Sequence, residues 1–270
     1  GLMPCELRAG HQTYWRRFGT GARPAVLLHC SLAHSGAWAG LAGALAPNLQ
    51  MIAFDLPGHG RSADWDGAAD YHHLSTQIAA SFLTEPVDLI GHSFGATVAL
   101  RLAVEQPQKL RSLTLIEPVF FAVAAQDSPE VFSAAQPHMD AVKHALAQGD
   151  CVEAARIFVG VWGDGRPWEE LSDRYKDGLV QRIHIIEATE GALYHDTARL
   201  LASGGLDSVE TPTLLMHGAQ SEPIIPVINA GLAQRLRHST TVEIADASHM
   251  MPLSHPHDCA ENIMTFMDRV

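Results

Sequence analysis

The sequence predicts an α/β protein, a mostly parallel sheet with helices on both faces, interrupted once by a helical insertion. Three observations predict it. Short aliphatic and β-branched runs alternate with longer helical patterns, and those runs are apolar almost throughout, as strands covered on both faces require. The regular spacing then fails at a single place in the chain.

In chain order, strands are expected at 25–29 (AVLLH), 51–55 (MIAFD), 87–91 (VDLIG), 113–117 (LTLIE), 213–217 (TLLMH) and 241–245 (TVEIA). Helices fit between them, around 38–46, 73–82, 96–105, 228–236 and 260–270. Between the fourth and fifth of these strands lie about 95 residues, far more than one crossover helix needs. That stretch carries its own helical patterns at 139–147, 152–162 and 175–190, with turn signals at Gly149-Asp150 and Gly163-Asp164-Gly165. The expected division is a core of 1–118 and 211–270, with a helical cap of 119–210 inserted into it.

Length and composition agree with one core plus an insertion. The chain has 270 residues, 47% of them hydrophobic and 18% charged, the balance of a folded protein and not of a disordered one. A formal net charge of −12 argues against nucleic acid or an anionic membrane surface as partner and leaves a small molecule as the expected one. It does not bear on oligomeric state. Four scattered cysteines, Cys5, Cys30, Cys151 and Cys259, read as reduced thiols and not as a disulfide frame or zinc site. The sixteen histidines include no HExxH-like ligand spacing, so no metal and no cofactor is expected. Residues 1–10 lack the basic start and apolar stretch of a secretory signal, which makes the cytoplasm the expected address. Gly1 and Leu2 ahead of Met3 read as a vector-derived remnant.

The strongest local signal is Gly91-His92-Ser93-Phe94-Gly95, a G-x-S-x-G run that follows a strand and opens a helix. A turn that tight admits only small residues at its first and last positions. It presents the Ser93 hydroxyl at a helix N-terminus, where free amides and the positive dipole end favour negative charge. Ser93 is therefore the candidate nucleophile. A serine hydroxyl needs an imidazole to take its proton, and His249, in the loop after the last strand, is the candidate base. His255 and His257 are rivals by proximity, but beside Pro256 they are expected to cap or solvate the last helix. His29 and His92, at a strand end and beside the glycine turn, are expected to shape the substrate pocket.

With these residues in hand, nearly the whole chain resembles the α/β-hydrolase family. His29-Cys30-Ser31, with Trp38 beyond it, is similar to the family's oxyanion loop after the third strand, and Asp55-Leu56-Pro57-Gly58-His59-Gly60-Arg61-Ser62 matches its DxPGxGxS segment. The resemblance implies an eight-stranded sheet, with the cap following strand six. It also implies an oxyanion hole made by the amides of Ser31 and Phe94, donors that are worth a factor of ~10²–10³ each. Cys30 departs from the family's glycine in that loop. The family's usual acid position, after the seventh strand, reads Gly218-Ala219-Gln220-Ser221 here, a serine in place of the acid. Glu222 follows it, and the family's other location, the end of strand six, holds Glu117. Glu117 is the preferred acid and Glu222 the alternative.

A serine nucleophile excludes the aspartate-based chemistry of haloalkane dehalogenases and epoxide hydrolases. What the resemblance then implies is acyl transfer to water on a small to medium, largely apolar carboxylic ester or lactone. A C–C bond hydrolase and a slow-turnover small-molecule receptor of the same fold are the alternatives. A perhydrolase use is disfavoured by the long insertion. Cap aromatics, among them Phe120, Phe121, Phe132, Phe158, Trp162, Trp168 and Tyr194, suggest an apolar lining, with Phe120 and Trp162 as candidate substrate contacts.

Overall fold

The computed structural model describes residues 5–270, so the Gly1–Met3 segment read above lies outside the described residues. The eight described strands are β1 (Cys5–Arg8), β2 (His11–Phe18), β3 (Arg23–Leu28), β4 (Leu49–Phe54), β5 (Val87–His92), β6 (Leu110–Ile116), β7 (Thr213–Gly218) and β8 (Ser239–Ile244). They form one sheet in the order β1-β2-β4-β3-β5-β6-β7-β8, parallel from β4 to β8, with β1 and β2 antiparallel. The six strands β3 to β8 lie within a few residues of their expected positions. β3, β5, β6 and β7 are buried along almost their whole length, the condition that made them apolar runs.

The sequence reading missed β1 and β2. They form an edge hairpin joined at Ala9 and Gly10, both with positive φ. Its strands carry charged and polar residues on the solvent face, so neither reads as an apolar run. The two-residue turn at Ala9 and Gly10 was the available signal.

Helices α1 (Ala39–Leu45), α2 (Tyr71–Ala80) and α3 (Phe94–Glu105) follow β3, β4 and β5. Between β6 and β7 run α4 (Phe121–Asp127), α5 (Pro129–Ala147), α6 (Cys151–Trp162), α7 (Asp173–Arg182), α8 (Ile185–Ala188) and α9 (Glu190–His195). The single helix expected over 175–190 is thus broken into short pieces. At the joints the backbone tightens to three-residue bonds, Ile186 N–H to Ile183 O and Thr189 N–H to Ile186 O, both 3.1 Å. Helices α10 (Ile224–Arg235), α11 (Met251–Ser254) and α12 (Pro256–Met267) complete the chain. No helix among the described residues is long and apolar enough to cross a membrane.

Each sheet face has its own core, one centred on Phe54, Leu89, Phe94 and Leu100, the other on Leu41, Met51, Met216 and Ile263. A third cluster, including Leu32, Val142, Ala155, Leu179 and Ile186, packs the inserted helices onto the loop after β3. That packing leaves the carboxyl ends of β3, β5 and β6 facing the insertion, where ligands collect in open parallel sheets.

Candidate active site

β5 ends at His92 and α3 begins at Phe94, which leaves Ser93 alone in the turn at φ 57°, ψ −117°. A non-glycine residue rarely adopts that backbone, and the surroundings must impose it. Gly91 and Gly95 make it possible. A Cβ at Gly91 would press on Gly95 O and Ala96, and one at Gly95 would collide with the Leu28 carbonyl oxygen of β3. The Ser93 amide donates to Ile116 O at 2.9 Å and its carbonyl accepts Ala96 N–H at 3.0 Å, so both sides of the residue are tied down.

His249 enters from the loop after β8, and its Nε2 lies 2.9 Å from Ser93 Oγ. Its Nδ1 lies 3.0 Å from Glu117 Oε1. The other Glu117 oxygen accepts Gly218 N–H at 2.9 Å and Ser221 Oγ–H at 2.7 Å. With donors converging on an acceptor carboxylate, Nδ1 carries the imidazole proton, and Nε2 is left to accept from the serine. All three residues are buried, Ser93 at 6% exposure, His249 at 5% and Glu117 at 0%. Glu117 sits just past β6 at φ 52°, a left-handed residue held by its own amide's bond to Met216 O at 2.9 Å. The structure therefore brings Glu117, and not Glu222, to the histidine. Glu222 is solvent-exposed just before α10, and its carbonyl accepts Ile225 N–H at 3.0 Å. Ser221, at the position where the family places its acid, instead holds the acid that replaced it.

His92 does not reach the pocket. Its Nε2 donates to the His249 carbonyl at 2.8 Å and so fixes the backbone of the neighbouring histidine. Burial, with His249 beside it, pushes its pKa down to about 3. His29 is turned away as well, with Nδ1 on Cys30 O at 2.7 Å and Nε2 accepting Leu56 N–H at 3.0 Å. Phe120 is 1% exposed in the core, while its neighbour Phe121 points to the cavity. These three expected pocket residues are corrected to supporting positions, and the reason is local: adjacent side chains leave the backbone in different directions. His255 bonds Ser254 Oγ at the entry to α12.

A cavity partly open to solvent lies over Ser93. Cys30, Ser31, Leu32, Ser93, His249 and Met250 form its floor, and the inserted helices supply Phe121, Met139, Val142, Phe158, Trp162 and Leu193 above. Trp162, the fourth expected pocket residue, lines it and packs edge-on against His249 at 4.8 Å between ring centres. Phe121 continues the aromatic wall, 5.9 Å from Trp162 and stacked on Tyr194 at 4.6 Å. Lys143 and Glu190, paired at 2.7 Å, and Glu187 are the charged side chains on the wall. Among the described residues the Ser31 and Phe94 amides donate to no protein acceptor outside regular elements.

Comparison with known proteins agrees with this architecture. Residues 25–262 match the Alpha/beta hydrolase family. A pimeloyl-[acyl-carrier protein] methyl ester esterase of Neisseria meningitidis serogroup B is 31% identical over 214 residues, covering 76% of this chain and 77% of that protein. A protein of the same name from Yersinia pseudotuberculosis is 27% identical over 267 residues, 95% of this chain and 98% of its own. Among solved structures, a hydrolase from Pseudomonas aeruginosa PA01 matches with a TM-score of 0.76 at 20% identity, over 99% of this chain and 98% of that one. The haloalkane dehalogenase DbeA of Bradyrhizobium elkani matches at 0.74 and 19%, over 100% and 99%. At such identities the structural likeness speaks for the fold alone.

Proposed function

The chain belongs to the alpha/beta hydrolase family, and from that membership we propose that it is a serine esterase working through an acyl-enzyme on Ser93. The observation that carries the proposal is the unbroken relay from Ser93 Oγ through the His249 ring to Glu117, at 2.9 and 3.0 Å, under an apolar cavity.

In the first half-reaction His249 Nε2 takes the hydroxyl proton as Ser93 Oγ attacks the ester carbonyl. Glu117 holds the ring in the tautomer that can accept and stabilises the cation that forms. Negative charge develops on the carbonyl oxygen and is met by the amides of Ser31 and Phe94. The tetrahedral intermediate collapses as His249 returns the proton to the departing alkoxide, leaving the acyl group on Ser93. Water then enters, His249 accepts its proton, and the same steps run back to free acid and Ser93.

The substrate is a small to medium carboxylic ester with an apolar body. The cavity wall is mostly aliphatic and aromatic, the lining an apolar substrate body requires. The named relatives are methyl ester esterases, which supports a short alcohol leaving group on a longer acyl chain. Residues 119–210 act as a cap over the site. Steady-state hydrolysis of methyl butyrate and methyl hexanoate tests the reading. Turnover by the wild type, lost by up to ~10⁶ in Ser93→Ala, is the expected result. Equal rates for the two would overturn it.

A further inference from the structure

Two buried histidines that the mechanism does not use directly, His29 in the loop after β3 and His59 in the loop after β4, bond to the peptide units on either side of Ser31. The Cys30 carbonyl accepts His29 Nδ1–H at 2.7 Å and Ala33 N–H at 3.3 Å. A trans peptide is planar, with C=O and N–H pointing in opposite directions. Tying down the Cys30 oxygen therefore aims the Ser31 N–H the other way. Ser31 and Ser93 line the same cavity.

The next peptide is held just as directly. Leu32 N–H donates to His59 Nε2 at 2.9 Å, and Leu32 sits at φ 69°, a backbone that a leucine does not choose for itself. His59 is in turn fixed from behind. Its Nδ1 donates to Pro57 O at 2.9 Å, and the Tyr71 hydroxyl, bonded to the same carbonyl at 2.7 Å, lies 3.2 Å from that nitrogen. The ring is 1% exposed, and burial with His29 beside it holds its pKa well below the ordinary value, so Nε2 keeps its lone pair at neutral pH. The two loops are crossed by further bonds, Leu56 N–H to His29 Nε2 at 3.0 Å and Ser35 N–H to Asp55 Oδ1 at 2.6 Å.

We propose that His59 is a positioning residue for the reaction: by accepting from Leu32 N–H it imposes the left-handed turn that, with His29 on Cys30 O, aims the Ser31 amide at the oxyanion. This inference rests on the esterase reading of the site. His59 touches no substrate and acts through the loop alone. Losing the acceptor frees Leu32 to relax toward negative φ, which swings the 31–32 peptide and takes the Ser31 amide out of alignment. Binding of the apolar substrate body should be little changed, because the cavity wall is supplied mainly by the inserted helices.

Two amide side chains separate positioning from bulk. Gln reaches the place of Nε2 and can accept from Leu32 N–H, whereas Asn ends near Nδ1 and cannot. The test measures kcat and KM on p-nitrophenyl butyrate for wild type, His59→Asn and His59→Gln, together with inhibition by a trifluoromethyl ketone of matching chain length. The ketone forms a hemiketal oxyanion on Ser93 and so reports the hole. A neutral competitor, butyramide, reports ground-state binding. The expected result for His59→Asn is a loss of kcat of about 10², the size of one lost donor, with ketone inhibition weakened in step. KM and butyramide inhibition should stay within threefold, and His59→Gln should recover most of the loss. Thermal unfolding checks that each variant is folded at the assay temperature, and His59→Met replaces His59→Asn if it is not. A folded variant lacking the acceptor that keeps kcat within threefold of wild type overturns the proposal, as does an equal loss for ketone and butyramide. Either failure leaves the esterase reading intact, whereas Ser93→Ala turning over as fast as wild type would overturn that reading itself.

Discussion

Glu117 and His249 stand 132 positions apart in the chain and meet at 3.0 Å, the carboxylate at the left-handed exit of β6 and the imidazole in the loop after β8. On the esterase reading proposed above, this pairing makes Glu117 the acid that orients the histidine. Glu117→Gln keeps the shape but offers Nδ1 a donor as readily as an acceptor, which favours the wrong tautomer. Turnover is expected to fall by ~10³–10⁴, whereas Glu222→Gln should stay within about twofold of wild type. Steady-state kinetics on one ester decides it. A larger loss in the Glu222 variant would reverse the assignment.

Ser221 supports that carboxylate through its hydroxyl at 2.7 Å, but Gly218 N–H continues to hold the same oxygen. Ser221→Ala is therefore expected to cost about tenfold in kcat or less, with KM unchanged, since a single neutral donor contributes ~1 kcal/mol.

Trp162 packs on His249 and on Phe121, so it closes one side of the cavity directly over the base. Trp162→Ala opens that side. The ratio of kcat/KM for p-nitrophenyl octanoate to that for the acetate should rise by about tenfold, the scale on which pocket volume discriminates between chains. An unchanged ratio would remove Trp162 from the acyl site.

Four buried histidines make the fold acid-sensitive. Burial lowers the pKa of His29 to about 4 and those of His72 and His92 to about 3, and holds His59 well below its ordinary value. Each is neutral when folded and binds a proton when unfolded once the pH falls below about 6.5. The unfolded state then holds more protons, so stability declines as pH drops from about 6.5 toward 4, by ~1 kcal/mol per pH unit for each histidine. Urea unfolding between pH 7.5 and 4.5 should show the decline, and His72→Gln should flatten it. A midpoint independent of pH over that range would contradict the assignment of neutral rings.

How much of this was legible in the sequence depended on how local each feature is. Ser93 was readable because the elbow is set within five residues, where two glycines answer a steric demand that the flanking strand and helix create. His249 was readable because chain order and the last strand's exit loop leave little choice. The acid was not readable to the same degree, because whether Glu117 or Glu222 meets the imidazole is decided by the end of β6 lying beside β7. The serine at 221 looked like an absence in the sequence and is a hydrogen-bond donor in the fold. Phe120 and Phe121 could not be told apart without a backbone direction, and His29 and His92 differ from pocket residues only in where the ring turns. The β1–β2 hairpin escaped because a solvated edge does not produce an apolar run.

The acyl-enzyme is tested by rapid acid quench of wild type with p-nitrophenyl butyrate, followed by intact and peptide mass spectrometry. A butyryl adduct is expected on the peptide containing Ser93, formed with one equivalent of p-nitrophenolate per site in the burst, and no adduct in Ser93→Ala. Turnover without an adduct at Ser93, or an adduct that persists in Ser93→Ala, would contradict it.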